Sequence, residues 1–500
     1  MTGPPLTGIS AVPTPATIQV LAALERGDWD TALRVVDENW MEIWFAVDPT
    51  DLQRIAAQAP PALLATLKSV NYLARATGFG PVEDLHQPEA PPARGAPPGH
   101  IAQYVADLRL RGRPVEAMAV VRRHMADLQA QRGQLVDGSG GSSGLVLVHA
   151  GITALLAGEA SAAIGMLLTA IDTHRPERFP FVVREATAKL ALAHAVVGSI
   201  PEAAAVNDQA RRMARTESWV EAMVDDTIWL TDYMCAVDTL HPRAEDMRQE
   251  RPSPLVHREF WPIALVAQVR HLILTNRTDQ AAALCEAVAA TGLPPGGADG
   301  LFVSALPDAR DILGYPPTDR APDARPARAL ARALDQFTSG QVTAVLETEL
   351  PPTFDARFAR AFALLRAQAK LTQDRHSEGV QLLQATVGEV LDRQTYGVLR
   401  YLSAESLAQI SDTPEGARAA ELTEKYQLPT VKVRAVLTSP LTPAELDVLR
   451  LLRLGRARDE IAAELFRSVN TVKSQLRSAY RKLGVTNRGD ALAKLTELGL

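Results

Sequence analysis

Apolar residues recur every three or four positions along most of the chain, a spacing that places them on one side of an α-helix. These periodic segments follow one another between residues 18 and 430. Stretches rich in proline and glycine interrupt them near 86–99, 133–144 and 293–326, where we expect loops. Residues 1–17 are rich in Pro, Thr and Gly and are predicted to be disordered. The pattern therefore predicts an all-α fold.

A recurring pair of small residues organises this helical region. A turn residue, usually glycine, ends one helix, and an alanine five positions later marks where the next helix packs closely. The pairs are Gly27/Ala32, Gly112/Ala117, Gly158/Ala163, Gly198/Ala203 and Asn276/Ala281, with weaker cases at Asp374/Gly379 and Asp412/Ala417. Successive pairs of this kind predict helical hairpins that stack on one another.

The segment from Leu147 to Pro176 is close to the tetratricopeptide pattern, and residues 18–430 resemble a degenerate, TPR-like helical solenoid. The intervals between the small-residue pairs are unequal, so another helical fold stays the alternative. In a solenoid each hairpin leaves an apolar face that only its neighbours cover, and the resemblance implies an elongated body with a groove for a partner or effector.

A different pattern begins at residue 441, after a linker at 431–440. Thr442, with Pro443 next to it and Glu445 three positions on, forms a capping box at the start of a helix. Apolar spacing predicts a second helix from Asp459 to Leu465 and a third from Val469 to about Leu483, with Ser468 as its cap. Two short helices joined by a tight turn, the second long and basic, indicate a helix-turn-helix.

The third helix has two chemically different faces. Its apolar face consists of Val472, Leu476, Ala479, Tyr480 and Leu483. Its polar face consists of Asn470, Lys473, Ser474, Arg477 and Arg481. No acidic residue lies between Ser468 and Lys482. A major groove about 12 Å wide admits one helix, and its bases offer acceptors to Lys, Arg and Asn. The hydroxyls of Ser468 and Thr471 are predicted to bind a DNA phosphate at the start of the helix.

The sixty residues 441–500 resemble the LuxR-type helix-turn-helix domain that NarL and FixJ response regulators share. The matching segments, in order, are LTPAELDVL, EIAAELF, NTVKSQLRSAYRKLGV and RGDALAKLTELGL. The resemblance implies that Lys473, Ser474 and Arg477 face the groove, and that a fourth helix, roughly Arg488 to Leu498, pairs two domains in a homodimer. Ala457 and Arg458 stand where the family often has Ser-Asn, so we expect the cap of the second helix to be weaker or to move to Asp459.

Charge and composition support a division between body and tail. Residues 441–500 contain eleven Lys or Arg and seven Asp or Glu, whereas the whole chain has a net charge of −6. The two cysteines, Cys235 and Cys285, are far apart and lack metal-ligand spacing, which argues against a disulfide framework or a zinc site. Because neither a secretory signal nor a membrane span is apparent, a cytoplasmic location without membrane partners is predicted.

Large LuxR-type regulators related to the maltose activator also carry a helical repeat region before this tail. Those regulators have an N-terminal ATPase, but this chain contains no GxxxxGK[ST] motif, so the resemblance implies a relative that lacks the ATP switch and needs no cofactor. The aromatic cluster Trp40, Trp44 and Phe45 is interpreted as core. The same holds for three histidines in apolar helices, which are His149, His194 and His271.

No set of residues suggests catalysis, and the chain is not expected to be an enzyme. The function predicted is that of a transcriptional regulator: the helical region receives a signal or partner, and the tail binds double-stranded promoter DNA as a dimer. The alternative is a TPR-like interaction scaffold whose C-terminal domain makes protein contacts.

Overall fold

The computed structural model describes a defined part of the 500-residue chain. The described residues are 9, 11–60, 91–93, 96, 98–130, 142–173, 181–291, 298–314, 325–373, 375–431, 442–453, 456–465, 467–483, 485 and 487–497. Within these ranges all regular elements are helices, apart from one antiparallel bridge between Ala11 and Val47. The all-α prediction is confirmed. None of the described helices has the length and apolarity that crossing a membrane requires.

The first group of helices shares one hydrophobic core, which extends from Ala16 to Ala309. It also includes a 3-10 helix at Pro254–Phe260. The α-helices are α1 (Pro15–Glu25), α2 (Trp29–Glu38), α3 (Trp40–Ala46), α4 (Pro49–Gln58), α5 (Pro98–Leu110), α6 (Pro114–Ala130), α7 (Ser142–Leu156), α8 (Ala160–Thr173), α9 (Phe181–Val197), α10 (Ile200–Arg212), α11 (Glu221–Asp238), α12 (Arg243–Glu250), α13 (Trp261–Leu274), α14 (Thr278–Ala290) and α15 (Leu301–Leu313).

A second core extends from Leu330 to Leu428, and a third, smaller core lies near the carboxyl end. The second group contains α16 (Pro326–Thr338), α17 (Val342–Glu347), α18 (Ala356–Leu371), α19 (His376–Asp392), a 3-10 helix (Tyr396–Tyr401), α20 (Ala404–Ala408) and α21 (Pro414–Lys425). The third contains α22 (Pro443–Arg453), α23 (Arg458–Glu464), α24 (Val469–Leu483) and α25 (Arg488–Glu497).

The small-residue pairs mark helical hairpins, as the sequence predicts. Gly27, Gly112, Gly158 and Gly198 have φ between +72° and +86°, and Asn276 has φ of +57°. The alanine that follows each of them by five positions is completely buried. An L-residue with a side chain is strained at such φ values, which explains the preference for glycine where one helix turns into the next.

Two details of this pattern differ from the prediction. Asp412 does not adopt a positive φ and Ala417 is exposed. The buried residue is Gly416, where a Cβ would lie 1.9 Å from the Ile410 carbonyl oxygen. The assignment of Asp412/Ala417 was therefore wrong. A further turn of the same kind occurs at Gly340 (φ +74°), where the residue five positions on is a buried valine. Asp374 lies outside the described residues.

Helices also begin inside segments that were expected to be irregular. The expected loop at 293–326 contains α15, whose Phe302, Ala305 and Ala309 are buried at helical spacing despite Pro307 in the helix interior. Burial of this stripe stabilises α15 although the flanking prolines suggested a loop. Helix α1 begins at Pro15, within the stretch predicted to be disordered. Helices α5 and α7 begin within the other two expected loops.

Later segments pack on the turns between earlier helices. The Asp299 carboxylate accepts hydrogen bonds from the backbone N–H groups of Val115 (2.7 Å) and Glu116 (3.2 Å), at the start of α6. Arg360 donates to the Gly198 carbonyl oxygen, in the turn between α9 and α10. A Cβ on Gly158 would lie 3.5 Å from the Phe354 ring. These contacts differ from a linear stack in which each hairpin is covered only by its neighbours.

A buried arginine fastens the second group of helices to the first. Arg357 is 5% exposed and donates to Ala195 O (2.6 Å) and Val196 O (3.1 Å), which are carbonyls at the end of α9. Its guanidinium also forms two hydrogen bonds with the Asp238 carboxylate, at 2.5 and 2.9 Å. Burial alone would lower the pKa of Arg357, but Asp238 and Asp355 outweigh it and raise the pKa. Arg357 therefore connects the two groups of helices through an ion pair and hydrogen bonds.

Candidate nucleic-acid interface

The first helix of the C-terminal domain, α22, starts with the predicted capping box. The Thr442 backbone N–H donates to Glu445 Oε2 (2.6 Å), and the Glu445 N–H donates to Thr442 Oγ1 (3.3 Å). Each residue thus satisfies an amide group that the helix leaves unpaired.

Helix α23 starts with a weaker cap, which is one of the two outcomes that the sequence predicts. Its N-cap is Ala457, not Asp459, and the alanine side chain offers no acceptor. Only the return half of a capping box forms: the Ala457 N–H donates to Glu460 Oε2 at 2.8 Å. The other expected outcome, a shift of the cap to Asp459, does not occur, and Glu460 at the third helical position reaches back to the cap.

The apolar face of α24 builds the core of this domain, as predicted. Val472, Leu476, Ala479 and Leu483 are buried against side chains of α22 and α23, including Val448, Leu452 and Ile461. Tyr480 is half-buried and packs against the same core, so the interpretation of this ring as core is confirmed.

Two further contacts fix the orientation of α24 on its neighbours. Lys482 Nζ donates to Glu445 Oε2 at 2.7 Å, so the capping carboxylate of α22 also holds the end of α24. Burial would raise the pKa of Glu445, but the hydrogen bonds from Lys482 and the Thr442 backbone outweigh it and lower the pKa to about 2. Arg467, in the turn, donates to Gln475 Oε1 (2.9 Å) and Ala444 O (3.4 Å). No role was predicted from the sequence for Lys482 or Arg467. The partner of Lys482 is Glu445, which the sequence does identify as part of the capping box.

The polar face of α24 is open to solvent. The predicted residues Asn470, Thr471, Lys473, Ser474 and Arg477 are all exposed. Among the described residues, neither Lys473 nor Arg477 has a hydrogen-bond or ion-pair partner. The structure thus brings two cations, one helical turn apart, onto a surface that lacks acidic side chains between Ser468 and Lys482. The side chain of Arg481, the remaining predicted residue of this face, lies outside the described residues.

The start of α24 combines exposed hydroxyls with free helix amides. Ser468 Oγ accepts from the Thr471 N–H at 3.1 Å, which confirms Ser468 as the cap, and the two hydroxyl oxygens lie 2.8 Å apart. One of the two hydroxyl hydrogens stays available for an external acceptor, since only one is needed between them. An anion near this helix start would also gain from the helix dipole.

The fourth helix is tied to the first. Asn487 Oδ1 accepts from the Asp490 N–H at 2.8 Å, and the Asp490 carboxylate accepts from Asn487 Nδ2 at 2.6 Å, which closes a cap at the start of α25. Arg488 donates to Leu452 O at 3.3 Å, so its guanidinium has a partner within the domain. Side chains from residue 493 onward lie outside the described residues, and pairing of two domains through α25 stays a prediction.

The other candidate residues belong to the body. Trp44 and Phe45 are buried, and Trp44 packs edge-on against Trp219 with ring centroids 5.0 Å apart. The side chain of Trp40 lies outside the described residues. His271 Nε2 is 2.9 Å from Glu245 Oε2. Burial first, and the nearby Arg109 second, lower the pKa of His149 to about 3. The described residues contain no cluster of His, Cys, Asp or Glu that would hold a metal ion.

Comparison with known proteins agrees with this geometry. Residues 439–495 match the family of bacterial regulatory proteins, luxR family. The C-terminal domain is therefore a LuxR-family helix-turn-helix domain.

Two relatives illustrate the extent of the similarity. The HTH-type transcriptional regulator MalT of Cronobacter sakazakii is 43% identical over 63 residues, which cover 13% of this chain and 7% of that protein. MalT of Klebsiella pneumoniae is 31% identical over 119 residues, 24% of this chain and 13% of that protein. The matches span far less than two thirds of these relatives, and they lie in the C-terminal part of this chain. No solved structure matches the chain.

Proposed function

We propose that this protein is a cytoplasmic transcriptional regulator without enzymatic activity, in which α24 binds the major groove of double-stranded DNA. The observation that carries the proposal is the exposed pair Lys473 and Arg477 on a helix whose opposite face packs on the core of the domain. Desolvating two cations without a protein partner is costly in a protein contact, whereas DNA supplies phosphate and base acceptors. The LuxR-family match of the same residues supports this assignment.

Different residues of α24 have different tasks in this proposal. Arg477 reads a base edge, because a guanidinium can donate two hydrogen bonds to a guanine. Lys473 neutralises phosphate or reads an adjacent base, while Asn470 and Ser474 contact the groove beside them. Ser468 and Thr471 bind a phosphate at the helix start, and Arg481 extends the cationic row toward the end of the helix.

Binding as a homodimer through α25 completes the proposal. Two domains related by a two-fold axis place their recognition helices in major grooves about one turn apart, so the operator is an inverted repeat. The TPR-like region receives a protein, peptide or small-molecule effector and transmits its binding to the DNA-binding domain.

The test starts from DNA fragments that the purified full-length protein selects from a random pool. Fluorescence anisotropy then compares the wild type with Lys473→Ala, Arg477→Ala and the control Arg212→Ala, which removes an exposed cation from α10. Arg477→Ala is expected to reduce the binding free energy by ~1–3 kcal/mol and to relax the sequence preference at one base pair. Lys473→Ala is expected to lower the affinity for all sequences alike and to reduce the slope of log affinity against log salt by ~1. Arg212→Ala should bind as the wild type does.

Salt dependence separates this function from the alternative. Because phosphate contacts release counterions, the logarithm of the DNA affinity should fall linearly with the logarithm of salt concentration. A protein-interaction scaffold would select no duplex and give no such titration. Unchanged DNA affinity in both α24 variants would contradict the assignment of the interface.

A further inference from the structure

A cleft of about 660 Å³ lies between α16 and residues 429–431, the last described residues before the C-terminal domain. Its lining includes the cations Arg332 and Arg400, the carboxylate of Asp335, and the apolar groups of Tyr401 and Val431. A volume of this size is typical of small-molecule sites, which combine an apolar wall with few polar groups. The chemistry of the wall therefore decides what kind of molecule it suits.

The two arginines differ from Arg328, the third arginine of the cleft. Arg328 is bound to the Asp311 carboxylate at 2.7 Å, and Asp311 is 6% exposed, so this pair is internally neutralised. Arg332 and Arg400 have no carboxylate within ion-pair distance among the residues that the structure describes. The guanidinium of Arg400 lies over the Tyr401 ring, 5.2 Å from its centroid. Two unpaired forks of donors thus border an apolar surface.

We propose that this cleft binds a small amphipathic carboxylate, with the carboxylate between Arg332 and Arg400 and the apolar part against Tyr401 and Val431. A guanidinium donates two parallel hydrogen bonds to a carboxylate, and a partly enclosed site strengthens such charge-assisted bonds. The apolar wall gives the rest of the ligand a surface to cover.

The cleft is connected to the DNA-binding domain through the backbone of Val431. The Val431 N–H donates to the carbonyl oxygens of Arg400 and Leu402, at 3.1 Å each, so the end of the 3-10 helix that provides Arg400 also holds the start of the connection. Residues 432–441 lead from there to Thr442, the cap of α22. A ligand that orders Arg400 orders this anchor as well. This consequence rests on the proposed function, whereas ligand binding itself does not.

Isothermal titration of the full-length protein with 2-naphthoate tests the site without DNA. We expect saturable binding, and no binding of the uncharged 2-naphthalenemethanol at the same concentrations. The double variant Arg332→Gln/Arg400→Gln should weaken naphthoate binding at least about tenfold, since each charge-assisted hydrogen bond contributes roughly a factor of ten. The control Arg212→Gln/Arg243→Gln, which changes two exposed arginines of the first group, should bind as the wild type does.

Hydrogen exchange of the wild type provides a second readout that requires no variant. Naphthoate should slow exchange in peptides that cover 396–402 and 429–431. Absence of binding, equal binding of the alcohol, or protection only elsewhere would overturn the site. Anisotropy with selected DNA, with and without saturating naphthoate, then tests the connection: an altered DNA affinity supports it and an unaltered affinity overturns it. A chain that binds naphthoate but no DNA would refute the proposed function and leave the cleft site standing.

Discussion

Replacing Glu445 with glutamine separates the two roles of this carboxylate. A glutamine side-chain oxygen can still accept from the Thr442 N–H, so the cap of α22 is retained. The contact with Lys482 loses its charge, although both side chains are largely buried, at 6% and 14% exposure. The variant therefore tests how strongly this ion pair holds the end of α24.

The magnitude follows from the pKa of Glu445, which falls from 4.5 to about 2 in the folded protein. At ~1.4 kcal/mol per pKa unit this shift corresponds to roughly 3 kcal/mol, and charge-assisted hydrogen bonds contribute about 1.5–3 kcal/mol. Because part of this shift comes from hydrogen bonds from Thr442 and Ser478, which a glutamine oxygen can still accept, we expect Glu445→Gln to destabilise α24 by about 2 kcal/mol.

Hydrogen exchange of full-length protein measures this loss locally, in peptides from 469–483. The control is Glu460→Gln, which removes an exposed carboxylate from the same position of the neighbouring helix and should change protection by less than about 0.5 kcal/mol. Because the folded pKa is depressed, the contribution of Glu445 is present above pH 4.5 and disappears as pH falls toward 2. Equal protection in both variants near neutral pH would refute the reasoning.

Two further predictions concern the stability of the body, both read from thermal unfolding midpoints. Arg357→Met should lower the free energy of unfolding by about 3–5 kcal/mol, because Asp238 stays buried without this partner. The control Arg393→Met, which breaks an exposed pair with Glu202, should lower it by less than about 1 kcal/mol. Similar losses in the two variants would contradict a special role for Arg357. Gly158→Ala should destabilise the folded protein by about 1 kcal/mol, because Gly158 has φ of +86°. Gly165→Ala, in open space within α8, should stabilise it slightly. The reverse order of the two midpoints would contradict the turn assignment.

Local features of the fold were predictable from the sequence. A left-handed turn favours glycine or asparagine, and the helix start that follows favours a small residue, so both preferences fall within six consecutive positions. The capping box at Thr442 is equally local, and so is the two-faced pattern of α24. The glycine–alanine pattern does not include the Gly340 turn, because the buried residue five positions on is Val345.

The packing of later helices on earlier turns left no comparable signal. Arg357 lies 119 residues from Asp238 and 162 from Ala195 in sequence, and an arginine in an amphipathic helix reads as a surface residue until its partners are known. The same limit applies to the cleft. Its cations come from α16 and from the turn near Tyr401, and their lack of carboxylate partners depends on how distant segments are placed.

The arrangement of cations in the C-terminal domain also explains why sequence and structure agree there. Arg467, Lys482 and Arg488 each donate to an acceptor inside the domain, so they fix the orientation of its helices. Lys473 and Arg477 are one turn apart on the opposite face of α24 and lack such acceptors among the described residues. A recognition helix requires both kinds of cation, because the internal contacts hold the helix in a fixed orientation and keep the free donors aligned before DNA binds. Glu445→Gln, which weakens the contact with Lys482, should therefore reduce DNA affinity even though that carboxylate touches no groove-facing residue.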